Sequence, residues 1–145
     1  MNNVTKFRIA KPARDVFEAF VDPEKIGNFW FSSSSARWET GQTVALEYDL
    51  YGAVLDIRLT EVEPNRKIVF LWGEGEDEHT VSIVFRETAD RSVTVVEVTE
   101  EGFREDDPDL IPKLVDNKEG WVFMLTCLKA YLEFGVKDLR GALER

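Results

Sequence analysis

The chain has 145 residues, a formal net charge of −10 and a single cysteine, Cys127. That length is one domain of ordinary size, expected to span residues 1–145, and the acidic balance argues against nucleic acid or anionic membranes as partners, since both require basic patches. One cysteine excludes an internal disulfide, and no run approaches the ~18 apolar residues of a membrane span.

The N-terminus carries no apolar signal region, so a cytoplasmic protein is expected. Val4 to Ala10 reads as a first strand, broken at Lys11-Pro12. Ala13 to Val21 places Val16, Phe17 and Phe20 at i, i+1 and i+4, which predicts a short amphipathic helix with Pro12 in its first turn. Asp22-Pro23 resembles an N-cap followed by proline, and predicts a second short helix over Glu24 to Asn28. The aromatic triplet Phe29-Trp30-Phe31 ends it, and Ser32 to Ser35 is a polar loop with no base nearby to activate a serine.

From Ala36 to Phe103 the period changes to two. Val44, Leu46, Tyr48 and Leu50 alternate with polar residues; Tyr51-Gly52 turns the chain; Leu55, Ile57 and Leu59 alternate again. Ile68 to Trp72 is apolar on both faces and is expected at the centre of a sheet. Val81, Ile83 and Phe85 form another strand, and Val93 to Val98 the last, where a change of parity at Val95-Val96 predicts a bulge. Short loops between these strands imply an antiparallel meander.

The segment around Trp121, Leu125, Leu128 and Leu132, with Met124 and Tyr131 beside them, is the most apolar long stretch. It predicts a helix from Leu110 to Phe134, with Gly135 as a left-handed C-cap and Asp106 to Asp109 near its positive end. A one-layer meander must cover its apolar face, and this helix is the element large enough to do so. The fold class is therefore α+β: a curved antiparallel sheet wrapped around a long C-terminal helix, with two short helices after the first strand.

This order of elements resembles the START-like (SRPBCC) superfamily, whose fold is called a helix-grip. Several motifs are similar to one branch, the family of the heat-shock protein 90 ATPase activator C-terminal domain and its stand-alone bacterial relatives. They are Val16-Phe17-Glu18-Ala19-Phe20 with Pro23, Gly52 to Leu55 leading to Glu63-Pro64, and Ile68-Val69-Phe70 with Trp72. Val81-Ile83-Phe85, Val93 to Val98 ending at Gly102-Phe103, and Gly120-Trp121 through Leu132 complete the set. The resemblance implies a cavity between the sheet and the long helix. It does not imply one activity, because superfamily members bind lipids, hormones or polyketides and some are cyclases. The eukaryotic activator has a further N-terminal domain for which this chain has no room.

Chemistry-bearing constellations are few. His79 is the one histidine, which leaves a zinc site short of ligands, and no metal or cofactor is expected. Beside Glu78 it is a thin pair for a general base, and no catalytic residue is assigned. Arg58, Arg86 and Glu97 fall on strands, either as a polar floor or on the outer face. The aromatic residues carry more information. Trp30, Phe31, Tyr48, Trp72, Phe103 and Trp121, with Met124, are the candidate cavity residues; packing of a solid core is the alternative. The leading reading is noncatalytic binding of a small apolar or amphipathic molecule. The alternative is an interaction module that modulates a chaperone ATPase.

Overall fold

The computed structural model describes residues 1–144. Strand β1 (Asn2–Ile9) leads to helix α1 (Ala13–Val21), then to the short β2 (Ser33–Ser34), β3 (Thr43–Tyr48), β4 (Ala53–Glu63), β5 (Lys67–Trp72), β6 (His79–Glu87) and β7 (Thr94–Glu101), and finally to helix α2 (Leu110–Phe134). The seven strands form one sheet in the order β1-β7-β6-β5-β4-β3-β2, with every neighbouring pair antiparallel. This is the helix-grip arrangement that the sequence implies, with β5 at its centre.

The alternating residues select the faces. Val44 and Leu46, Ile57 and Leu59, Ile68 and Phe70, Val81 and Ile83, and Val96 and Val98 all turn inward and are buried. Val69 and Leu71, the other face of β5, are half-buried. Against the inner face lie Trp121, Met124, Leu125, Cys127 and Leu128 of α2, together with Val16, Phe17 and Phe20 of α1. Gly135 ends α2 in the left-handed conformation at φ 69°, and its N–H and that of Val136 reach back to the carbonyls of Tyr131 and Ala130.

Two local expectations change. The second short helix is a single 3-10 turn, Ile26–Asn28. Asp22 does accept the Glu24 N–H at 2.9 Å, but the chain must then drive three aromatic rings into the core. A Cβ on Gly27 would lie 2.8 Å from the Ser32 carbonyl oxygen, so a side chain at that position would clash with the backbone that follows the triplet. The bulge at Val95-Val96 is absent: β7 pairs without interruption with both β1 and β6. The register shift lies instead between Leu59 and Glu61, where β4 meets β5. At the start of α2 the Asp109 side chain makes no capping bond; Asp107 accepts the Asp109 N–H at 2.8 Å and pairs with Lys113 at 2.6 Å.

The pairing of β1 with β7 brings the first and last strands of the chain together. β1 ends the sheet and would leave open carbonyls, an invitation to pair with another chain. Lys118 and Lys129, both off the apolar seam of α2, donate to the carbonyls of Val4 and Arg8. Asn3 adds a bond to the Leu114 carbonyl at 3.1 Å. Polar residues of α2 thus dock the helix on the sheet edge.

Candidate functional site

Antiparallel alternation decides what meets at one end of the sheet. β3, β5 and β7 run the same way, so their last inward-facing residues, Tyr48, Trp72 and Glu100, arrive together. β6 starts at that end with His79, the direct cross-strand partner of Trp72. Helix α2 crosses above with Asn117, Trp121 and Met124, which fall at helical spacing on nearly one face.

Between them lies a cleft of about 220 Å³ walled by Phe29, Trp30, Tyr48, Tyr51, Trp72, Trp121, Phe123 and Met124, with Asp116, Asn117, Gly120 and Leu143 at its margins. The Trp121 and Trp72 rings stack at 5.6 Å and 25°, and Trp30 leans on Trp121 at 5.4 Å. The segment after α2 folds back over the opening. The Arg140 guanidinium lies 5.5 Å from the Tyr48 ring centre and donates to the Trp30 carbonyl at 3.2 Å. Burial pushes the Tyr48 phenol above its ordinary range. Burial also pushes the Cys127 thiol up to about 11, against the pull of Arg140, which makes it an inert core group.

Of the seven residues expected at a cavity, Trp30, Tyr48, Trp72, Trp121 and Met124 line this cleft. Phe31 stands one layer behind, in contact with Trp30 at 4.8 Å and Tyr48 at 5.5 Å. Phe103 lies apart, packed on the His79 ring at 4.5 Å beside a neighbouring cleft. Arg58 and Arg86 are more than half exposed on the outer face and pair there with Glu78 and Glu97.

The polar group that sequence reasoning missed is Glu100. It is 3% exposed, yet it is a carboxylate in an aromatic setting. One oxygen accepts the Trp121 indole N–H at 3.0 Å and the Asn117 amide at 2.9 Å. The other meets Nδ1 of His79 at 2.6 Å. Glu78, the neighbour in sequence, is not the partner of His79. Counting on by two from Val96 and Val98 reaches Glu100, so strand parity carried the signal. Stopping the strand at its last valine hid it. Trp121→Phe will remove one donor from this buried carboxylate and cost about 1–3 kcal/mol, read from denaturant unfolding. A loss under about 0.5 kcal/mol would mean that water already serves that oxygen.

Residues 10–133 match the family model described as Activator of Hsp90 ATPase homolog 1-like protein. The chain belongs to this family. Protein SSP2350 from Staphylococcus saprophyticus is 50% identical, with 94% of this chain and 95% of that one covered and a TM-score of 0.83. The Aha1 dimer from Colwellia psychrerythraea superposes with a TM-score of 0.79 at 17% identity, over 93% of this chain and 98% of that one. DynU16, from the dynemicin biosynthetic locus, gives a TM-score of 0.80 at 24% identity over 94% of this chain, which spans 48% of that larger one. The last two likenesses are of fold alone. No curated protein matches the chain. Among the described residues, no helix is long and apolar enough to cross a membrane, and no group of three or more histidine, cysteine or carboxylate side chains is placed to hold a metal.

Proposed function

We propose that this protein binds a small apolar or amphipathic molecule, without catalysis, in the cleft beneath α2. The observation that carries the reading is the convergence of Trp30, Tyr48, Trp72, Trp121 and Met124 on one open space of about 220 Å³. Aromatic walls with a few polar margins are the usual make-up of a ligand site. The volume bounds the ligand. An apolar cavity of about 150 Å³ admits benzene, so one or two fused rings fit inside the cleft. Asn117 and the phenols of Tyr48 and Tyr51 stand at the margins for a ligand oxygen. Native mass spectrometry of protein from its own host tests the reading. A retained molecule of this size supports it; bare protein that also fails to bind an environment-sensitive apolar dye sinks it.

Met124→Trp sharpens the test. Met124 is buried on the cleft wall. The larger ring will enter the cleft and abolish dye binding, at a cost in unfolding free energy below about 1 kcal/mol. A filled core would instead be overpacked and lose about 1–3 kcal/mol.

The family match supports a second reading, modulation of a chaperone ATPase, with the acidic surface meeting a basic patch. Stimulation of the host chaperone's ATPase by this chain at micromolar concentration tests it, and we expect it to be weak or absent. Robust stimulation would make this the better reading.

A further inference from the structure

Building on the reading of the aromatic cleft as a ligand site, we propose that the segment after α2, residues 137–144, is a lid over that cleft and that Arg140 is the latch that holds it shut. The cleft opens past Tyr51, which is 49% exposed, but its deeper walls are nearly closed to solvent: Trp30, Trp121 and Met124 are 8%, 4% and 3% exposed. A ligand that lies on those walls must displace a border of the cleft to reach them. Most of the border is firmly built. Tyr48 and Trp72 lie on paired strands, Trp121 and Met124 on α2, and the Trp30 N–H is held by the Ile26 carbonyl at 3.0 Å. Leu143, on the segment after α2, supplies the remaining side.

That segment is attached differently. Gly135 and Val136 donate to carbonyls of α2 and end the helix. Beyond them, among the described residues, no backbone-to-backbone hydrogen bond ties residues 137–144 to the sheet or to α2; the Gly141 and Ala142 N–H groups bond to Asp138 and Leu139 within the segment. A stretch held by side chains opens more readily than one built into a ladder. The side chains that hold it are few. Leu139 packs against the core and Leu143 borders the cleft. Arg140 makes the polar links. Its guanidinium donates to the Trp30 carbonyl at 3.2 Å, lies 3.5 Å from the Asp49 carboxylate and stands over the Tyr48 ring. Its own carbonyl accepts the Tyr48 hydroxyl at 3.4 Å. Trp30 and Tyr48 are themselves walls of the cleft, so the latch ties the lid to the site that it covers. Lys137, Asp138, Gly141 and Ala142 are exposed, and the outer surface of the segment meets solvent.

When a ligand passes only through the open form, weakening the latch raises the open fraction, and entry and exit quicken together. The probe is prodan, a neutral naphthalene dye that brightens in apolar surroundings, followed by stopped flow on the full chain. In Arg140→Met, which keeps the length of the side chain and removes its donors, the association and dissociation rate constants will each rise at least about tenfold while Kd changes less than about threefold. A change in dissociation alone would make the segment a fixed wall and overturns the proposal. Acrylamide quenching tests the lid without a bound ligand. Trp30, Trp72 and Trp121, three of the four tryptophans, line the cleft. The quenching constant of tryptophan fluorescence will therefore rise at least about twofold in the variant as the open fraction grows. Unchanged quenching overturns the lid whether or not prodan binds. If prodan binds neither protein, the ligand reading fails and quenching alone decides the lid. Should Arg140→Met fail to fold, Arg140→Lys takes its place: it keeps the charge but loses the planar fork that reaches Trp30 and Asp49 together, and the same outcomes decide.

Discussion

Leu128→Ala will lower the unfolding free energy by about 2–5 kcal/mol, the range for a leucine deleted from a close-packed interior. Leu128 is 0% exposed and sits on the face of α2 that meets the sheet, beside Leu125, Cys127 and Met124. Its removal costs the transfer free energy of three carbons, a methine and two methyls, and leaves a void beneath the helix. Denaturant unfolding measures it, and a loss under about 0.5 kcal/mol would show that the helix does not grip the sheet at this point.

Gly102→Ala will act through the backbone. Gly102 has φ +124°, a conformation that side-chain-bearing residues rarely adopt. A Cβ there would lie 2.6 Å from Cδ2 of His79 and 3.0 Å from the Glu78 carbonyl oxygen. The backbone strain alone costs about 1–3 kcal/mol, and the ring must also move. Two readouts follow. The melting temperature will drop, and the His79 ring signals will shift as the imidazole leaves its contact with Glu100. An unchanged melting temperature with unchanged His79 signals would mean that this turn relaxes freely and that the imidazole is not held.

These two substitutions mark the two kinds of information in the chain. Leu128 was legible from sequence, because helical spacing around Trp121, Leu125 and Leu128 names the buried face from one segment alone. The alternating strands were legible for the same reason: one-sided burial imposes a period of two. Errors came where a local pattern competed with a tertiary demand. Asp22-Pro23 has the signature of a helix start, but the segment ends as a 3-10 turn that sends Phe29, Trp30 and Phe31 into the core. The change of parity at Val95-Val96 reads as a bulge, yet β7 pairs without interruption on both sides and simply leaves Val96 and Val98 inside.

The candidate cleft divides in the same way. The excess of large rings was visible, and five of seven candidates meet in one place. Which rings meet was a matter of strand direction. Trp72 faces the space because β5 ends at the same edge as β3 and β7, whereas Phe103 lies beyond the end of β7 and turns toward His79. Glu100 shows the limit most clearly. Its face follows from counting along one strand, but its partners are Trp121 and Asn117 on α2 and His79 on β6.

By itself the sequence determined the periodicities, and hence the elements, the fold class and the buried stripe of α2, since a face chosen by burial repeats along a single segment. Only the tertiary structure decided the pairing of β1 with β7, the rings that share a cleft and the triad of donors around Glu100. Those contacts join residues from 17 to more than 90 positions apart, and no local pattern specifies which distant segment supplies the partner.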